Sequence, residues 1–305
     1  MSSGTGTRAG VGTGRAGGKV ILLGEHAVVH GTAALAMAFP RGVSVTARES
    51  DGPVALEARA WRYRVAADDG SPGGEALRAL VAALGVAPCG IALEADVRIP
   101  DRAGLGSSAA MAAASARAIA SLLAIPFDDD RLFAAVQASE TVFHGNPSGL
   151  DATMALFGGV VRYTRAGGAT RLRAPGPQVV VASSGEPGRT GETVAAFARR
   201  LAAEPVEGRR RLAALGDLVE SGTAALVRGD LAALGRTMDE DQEHLSWFGV
   251  STSRLDRICE VARRAGALGA KLTGGGGGGC AVALVQPGDD AVAPALCDAG
   301  FEVVS

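Results

Sequence analysis

The sequence contains very little lysine and asparagine. Of its 30 basic residues, 28 are arginines, and the two lysines are Lys19 and Lys271; Asn146 is the single asparagine. A composition this rich in Arg, Ala and Gly indicates a genome-wide codon bias. A position that stays lysine under such a bias is a candidate for a role that needs a compact ammonium, which the planar guanidinium of arginine cannot replace.

Cysteine is also scarce. The four cysteines form no CxxC pair, and no histidine stands beside them at metal-ligand spacing (Cys89, Cys259, Cys280 and Cys297). This argues against a disulfide framework and against a zinc site. Buried free thiols in a reducing cytoplasm are the expectation instead.

Strong charge and long apolar runs are absent as well. The formal net charge is −2 and the pI is about 6.1, which argues against a general nucleic-acid binder. Arg117 interrupts the longest apolar stretch, residues 109–125, so this stretch predicts a core helix and not a membrane span. Residues 1–18 hold no apolar segment typical of a signal peptide. We therefore expect a cytoplasmic protein without a membrane or nucleic-acid partner.

The chain is nonetheless well supplied with apolar residues. Hydrophobic residues make up 47% of the chain, which excludes an intrinsically disordered chain. The length of 305 residues predicts about two domains. Apolar runs predict strands at 19–23, 91–99, 160–164, 179–182 and 281–285, and helices at 107–123, 131–143, 191–203, 208–227, 230–246 and 252–265. This distribution predicts a loose tail at 1–17, a first domain at 18–188 and a helix-rich second domain at 189–305.

The first glycine-rich segment, GLGSS at 104–108, stands between a predicted strand and a predicted helix. Free N–H groups at a helix start form an anion site, and glycine lets a phosphate approach the backbone closely. A plain helix cap with a glycine turn is the alternative. This segment matches neither the Walker A pattern nor the Rossmann GxGxxG pattern.

The second segment contains six consecutive glycines, in KLTGGGGGGC at 271–280. Core packing does not favour such a run, because each glycine loses much backbone entropy on folding. A flexible linker is one interpretation. A loop that passes close to a ligand fits better, because no change in composition marks a linker here.

The third segment, 140–151, contains two acids, Glu140 and Asp151, and the lone Asn146. A surface acid and an Asx-type turn are the ordinary explanation. Beside a phosphate-binding loop, however, two acids can serve as a Mg²⁺ ligand and as a general base, which are the groups that phosphoryl transfer requires.

Taken in order, three segments resemble the motifs of the GHMP small-molecule kinases. These are GKVILLGEHAVVHG at 18–31, GLGSSAA at 104–110 and KLTGGGGGGC at 271–280. Three further stretches resemble the mevalonate kinase branch of that family, namely GEHAVVHG at 24–31, HGNPSGLD at 144–151 and MDEDQEHLSWFGVS at 238–251. The resemblance extends over about residues 17–286, nearly the whole chain.

The resemblance implies an α+β fold with a mixed N-terminal ATP- and substrate-binding domain, a helix-rich ferredoxin-like C-terminal domain and an active site between them. It implies Mg²⁺-dependent transfer of a phosphoryl group from ATP to the C5 hydroxyl of (R)-mevalonate, in a possible homodimer. Asp151 resembles the catalytic base and Lys19 its partner, while Glu140 and Ser108 resemble the Mg²⁺ ligands. The groups that resemble the ATP cradle are Arg102, Ala103, Gly104, Leu105, Gly106, Ser107 and Ser108. The groups that resemble the mevalonate site are Glu25, His26, Thr190 and Gly276.

Two alternatives stay open at this stage. A related kinase could act on another alcohol, such as phosphomevalonate or homoserine, although the motif segments lack the extra basic residues that a second phosphate would need. A non-catalytic sensor could keep the fold without the chemistry. Such a protein would be expected to lose Lys19, Glu140 or Asp151, and all three are present.

Overall fold

The structure, a computed structural model, describes residues 10–101 and 103–304, which form two compact units. The first unit comprises residues 10–17, 42–98 and 108–147. The second unit comprises residues 18–41, 99–101, 103–107 and 148–304. The domain boundary predicted near residue 188 stays a prediction.

The first unit contains the strands β3 (Ala55–Ala58), β4 (Tyr63–Ala66) and β5 (Cys89–Val97), the later part of β2 (Ala33–Pro53), and the helices α1 (Pro72–Ala83), α2 (Ser107–Leu123) and α3 (Asp129–His144). Its strands form a sheet in the order β4-β3-β5-β2. Strand β5 pairs antiparallel with β2 and parallel with β3. Helices α1 and α3 pack against each other.

Strand β1 (Val11–Leu23) begins inside the segment that was expected to be a loose tail. Gly12 and Gly14 face helix α2, where an added Cβ would overlap the carbonyl oxygens of Ala118 and Ala114. The glycines and small residues of this segment therefore let a strand lie directly on an alanine-rich helix, so residues 11–17 are strand and not tail.

Two helices of this unit begin where local sequence signals predict. Helix α3 is capped by Asp128, whose carboxylate accepts a hydrogen bond of 2.8 Å from the N–H of Arg131. Helix α2 spans the predicted 107–123, and its alanines are almost all buried. Within the described ranges, no helix is long and apolar enough to cross a membrane.

The second unit contains two sets of paired strands, formed by the early part of β2 and by β6 (Val160–Thr164), β7 (Gly168–Arg171), β8 (Val179–Ser183), β9 (Gly269–Thr273), β10 (Cys280–Leu284) and β11 (Glu302–Val303). The early part of β2 pairs antiparallel with β6, which pairs with β7. A separate four-stranded sheet has the order β11-β8-β10-β9, and its neighbouring strands are all antiparallel.

Helices dominate the rest of the second unit. They are α4 (Leu150–Phe157), α5 (Thr190–Ala203), α6 (Pro205–Arg228), α7 (Leu231–Trp247), α8 (Ser253–Arg264) and α9 (Val292–Asp298). Helices α7 and α8 pack on strand β9, and Phe197, Phe248 and Leu272 belong to one buried apolar cluster. The helix-rich character predicted for the C-terminal part is confirmed.

The cysteines differ in burial from the expectation. All four are free thiols, but Cys89 and Cys297 are exposed and only Cys259 and Cys280 are buried. Burial raises the pKa of both Cys259 and Cys280 to about 12, so these two thiols stay protonated at neutral pH.

Candidate active site

Lys19 and Asp151 form an ion pair in the second unit. Lys19 lies on β1 and is 5% exposed, and its Nζ is 3.2 Å from Oδ1 of Asp151. Asp151 stands in the first turn of α4, where the helix dipole stabilises a negative charge, and about a third of its side chain is exposed. A carboxylate that is held by an ammonium and still reachable can accept a proton from an alcohol.

The loop at 103–107 packs directly on Lys19. The backbone N–H of Lys19 donates to the carbonyl of Leu105 at 2.9 Å, and a Cβ on Gly106 would lie 3.0 Å from Cγ of Lys19. Gly106 has a φ of 70°, so both space and backbone conformation favour glycine here. Ser107 begins α2, so this loop ends at the free N–H groups of a helix start. Arg102 lies outside the described residues.

The six-glycine segment is a tightly held hairpin loop between β9 and β10. Gly276 accepts a hydrogen bond of 3.1 Å from the N–H of Arg189, and the N–H of Gly277 donates to Val250 at 2.9 Å. Gly276 has a φ of 72°, and a Cβ there would overlap the carbonyl oxygen of Val250. These contacts exclude the flexible-linker interpretation.

This hairpin loop also packs on the loop at 103–107. A Cβ on Gly104 would lie 2.8 Å from the carbonyl oxygen of Thr273, and one on Gly274 would lie 2.6 Å from the carbonyl oxygen of Gly104. Ala103 lies at the other end of the same contact, with its carbonyl oxygen 2.9 Å from a Cβ on Gly279. The backbones of the two glycine-rich segments are therefore in direct contact in the structure.

His26 and Thr190, both expected near the substrate, meet at the hairpin loop. Nε2 of His26 is 2.9 Å from the carbonyl oxygen of Gly275, and a Cβ on Gly275 would overlap Oγ1 of Thr190. The hydroxyl of Thr193 donates to the same carbonyl at 2.7 Å. Burial lowers the pKa of His26 to about 4, so its imidazole is neutral at pH 7 and donates through Nε2–H.

Glu25 is held in the interior by Lys271. It is 2% exposed and forms an ion pair with Nζ of Lys271, which also lies 3.2 Å from Oδ2 of Asp241. Burial raises the pKa of Glu25 to about 7 against the opposing effect of Lys271, and burial likewise raises the pKa of Asp241. Glu25 was expected among the substrate groups, and the structure places its carboxylate on Lys271.

Ser108 and Glu140 belong to the first unit. Ser108 is the second residue of α2, and Glu140 is a buried residue of α3 with Oε2 3.7 Å from Nε2 of His144. In residues 10–101 and 103–304 there is no group of three or more His, Cys, Asp or Glu side chains that could hold a metal ion. A hydroxyl and a carboxylate still fit Mg²⁺, because this ion usually takes one or two protein ligands and completes its shell with phosphates and water.

Asp241 and Thr193 were not singled out from the sequence. Asp241 lies in the stretch 238–251, whose resemblance to a kinase branch was the available signal. Thr193 had no signal, because its contact with Gly275 depends on how α5 packs against the hairpin loop.

Comparisons with known proteins identify the family of this chain. The model of the GHMP kinases N terminal domain matches residues 74–159, and that of the GHMP kinases C terminal domain matches residues 223–300. The mevalonate kinase of Aeropyrum pernix is 34% identical over 287 residues, covering 89% of this chain and 88% of that protein. The mevalonate kinase of Thermococcus onnurineus is 32% identical and covers 92% of this chain and 91% of that protein.

A solved structure is similar over nearly the same length. The crystal structure of L. major mevalonate kinase in complex with R-mevalonate has a TM-score of 0.80 and 29% sequence identity. It covers 96% of this chain and 92% of that chain. The fold predicted from the motifs is therefore confirmed.

The chain belongs to the GHMP kinase family. Its relatives in Aeropyrum pernix and Thermococcus onnurineus are both mevalonate kinases, so the predicted branch of the family is confirmed as well.

Proposed function

We propose that this chain transfers the γ-phosphoryl group of ATP to the C5 hydroxyl of (R)-mevalonate. The observation that carries the proposal is the Lys19–Asp151 ion pair, which lies beside the loop that leads to the start of α2. The L. major kinase, which is similar over 96% of this chain, was solved with R-mevalonate, and this supports the choice of alcohol.

The proposed reaction needs positioning and electrostatics rather than a covalent intermediate. Asp151 accepts the proton of the C5 hydroxyl. The hydroxyl oxygen forms a bond to the γ-phosphorus, and the bond between that phosphorus and the bridging oxygen of the β-phosphate breaks. Lys19 is paired with Asp151 and stabilises negative charge near the attacking oxygen. The N–H groups at the start of α2 and the loop at 103–107 bind the phosphates.

Ser108 and Glu140 are the residues that we propose would hold Mg²⁺. When bound, the ion neutralises charge on the phosphates of ATP. The donor set of one hydroxyl and one carboxylate suits an ion whose remaining ligands are phosphate oxygens and water. The assignment follows the resemblance of these two positions to the family pattern.

On the substrate side we propose His26, Thr190 and Gly276 as groups that border the alcohol. They are brought together at one end of the hairpin loop, around the carbonyl of Gly275. The neutral imidazole gives its Nε2–H to Gly275, and its Nδ1 can accept a hydrogen bond without adding a charge. The homodimer and the cytoplasmic location stay predictions.

A kinase for a different alcohol is the second candidate. We expect rapid ADP release with ATP and (R)-mevalonate, and release at the no-substrate rate with (R)-5-phosphomevalonate, homoserine or galactose. A coupled assay of ADP formation over this panel makes the comparison. ADP release that is fastest with another alcohol would overturn the choice of mevalonate. No ADP release with any alcohol would favour the non-catalytic sensor.

Glu140→Gln is expected to raise the Mg²⁺ concentration needed for half-maximal rate. The amide keeps the size of the side chain but removes the charge that attracts the cation. The measurement is a Mg²⁺ titration of the rate at saturating ATP and mevalonate. Glu75→Gln is a matched control, because Glu75 pairs with Arg78 in a half-exposed ion pair of the same unit. An unchanged titration in Glu140→Gln would make this acid structural.

A further inference from the structure

Lys271 is the second of the two lysines in a chain that otherwise uses arginine, and it is completely buried. Its ammonium contacts three acceptors: Oε1 of Glu25, Oδ2 of Asp241 at 3.2 Å and the carbonyl oxygen of Leu272 at 2.8 Å. The ammonium donates hydrogen bonds to Glu25 and to the carbonyl of Leu272, and Asp241 completes the cluster at ion-pair distance. A guanidinium is wider and planar, so in this buried position it would displace at least one of these groups.

The three charged residues come from three different elements of the second unit. Glu25 follows the end of β1, Asp241 lies on α7 and Lys271 lies on β9. All three are at most 2% exposed. We call this cluster of Glu25, Asp241 and Lys271 the buried triad. Removing Lys271 would leave two buried carboxylates without their cation, and removing both acids would leave the ammonium unpaired, so the members depend on each other.

The residue next to the buried triad has a strained backbone. His26 has a φ of 60°, which is uncommon for a residue other than glycine. Such a conformation persists where the surrounding structure fixes it, and strain of this kind concentrates at functional sites. Lys271 binds Glu25, which directly precedes His26 in the chain. The ring of His26 contacts the carbonyl of Gly275 and stacks on the ring of Phe197, with 5.7 Å between the ring centroids.

Strand β9, which carries Lys271, also joins the buried triad to β1, the strand that carries Lys19. Two residues after Lys271, the hydroxyl of Thr273 accepts from the N–H of Ile21 at 2.8 Å and donates to its carbonyl at 3.2 Å. Leu272 donates its N–H to the side chain of Gln242, the neighbour of Asp241, at 2.8 Å. The end of β9 is therefore fixed to both α7 and β1.

We propose that the buried triad is a positioning device for the substrate-side turn at His26. Glu25 then acts on the reaction through Lys271 and His26, and its carboxylate does not touch the alcohol. This inference rests on the proposed function, because it concerns how the mevalonate side of that site is held. Glu25, Asp241 and Lys271 are positioning residues in this account.

The test compares Glu25→Gln, Asp241→Asn and the double variant with the wild type. Both changes keep the side-chain shape. We expect each single change to lower kcat/KM for mevalonate by up to about 10²-fold, the loss that a displacement of about 1 Å can cause. We expect the KM for ATP to stay within about twofold of the wild type. The double variant is expected to lose more kcat/KM than either single variant, because it leaves the buried ammonium of Lys271 without a carboxylate.

Two further variants separate geometry from charge. Lys271→Arg keeps the charge and is expected to lose about as much kcat/KM as Lys271→Met. Arg162→Met is the control, because it breaks the Arg162–Glu220 ion pair of the same unit and is expected to leave the kinetics unchanged. If Lys271→Arg keeps wild-type kinetics, or if Asp241→Asn has no effect while Glu25→Gln does, the positioning role is overturned.

A second readout does not depend on activity. The chain has four histidines, so ¹⁵N-histidine NMR at pH 7.5 resolves the tautomer of His26, assigned through a His26→Gln spectrum. We expect the Nε2–H tautomer in the wild type and in Lys19→Met, and a mixture of tautomers in the Glu25→Gln and Asp241→Asn variants. An unchanged His26 signal in both triad variants overturns the proposal. Absence of wild-type activity on mevalonate overturns the proposed function instead, and the tautomer still decides the role of the buried triad.

Discussion

Asp151→Asn is expected to lower kcat with mevalonate by about 10²–10⁴-fold, the usual effect of losing a general base. Asparagine keeps the size of the side chain but cannot accept the proton of the alcohol. It also removes the partner of Lys19, which lies 3.2 Å away in the wild type. ATP binding is expected to persist, because the loop at 103–107 and the start of α2 are untouched. Steady-state kinetics and calorimetric titration with ATP measure the two effects.

The matched control for this change is Asp217→Asn, which alters an exposed acid on α6 in the same unit. Its kcat is expected to equal that of the wild type. Near-normal kcat in Asp151→Asn would remove Asp151 from the role of base. Loss of both turnover and ATP binding would point to a structural role for the ion pair.

Lys19→Arg is expected to lower the rate by about 10²-fold, although this chain uses arginine at 28 other positions. The side chain of Lys19 runs against Gly106, where even a Cβ would lie 3.0 Å from Cγ of Lys19. A guanidinium is wider and planar, so it would displace either the loop at 103–107 or Asp151. The measurement is kcat and KM for both substrates.

Comparison with Lys19→Met separates shape from charge. We expect both variants to be severely impaired, with Lys19→Met at least as slow as Lys19→Arg. If Lys19→Arg keeps most of the wild-type rate while Lys19→Met loses it, a positive charge is sufficient at this position. The argument from the compact ammonium would then fail.

The loop at 103–107 and helix α2 could be predicted because their signals are local. A strand, a glycine turn and Ser107 follow each other directly, and the helix spans the predicted residues. Asp128 likewise caps α3 from a position that the sequence makes plain. Elements of this kind depend on nearby residues, so a single sequence contains most of the information.

The start of β1 could not be predicted in the same way. Its glycine-rich residues have the composition of a tail, and the reason that they form a strand lies in α2, far along the chain. Helix α4 presents a related difficulty. Its sequence, LDATMALF, is nearly all apolar and short, so no periodic pattern marks the helix that places Asp151.

The surroundings of Lys271 show where sequence reasoning ends. The rarity of lysine marked the position, but its partners depend on the packing of α7 against β9. Glu25 was expected at the substrate because its position resembles the mevalonate site of the family. In the structure its carboxylate is turned to Lys271, which only tertiary contacts could establish.

The central claim is that the C5 hydroxyl receives the phosphoryl group, and ³¹P NMR of the product tests it most directly. The purified chain is incubated with ATP, Mg²⁺ and (R)-mevalonate, with Asp151→Asn as the parallel sample. The account predicts one new phosphate monoester for each ADP, split into a triplet by the two protons on C5, and almost none with Asp151→Asn. An unsplit ester signal, which phosphorylation of the tertiary C3 hydroxyl would give, or release of free phosphate without an ester, would contradict it.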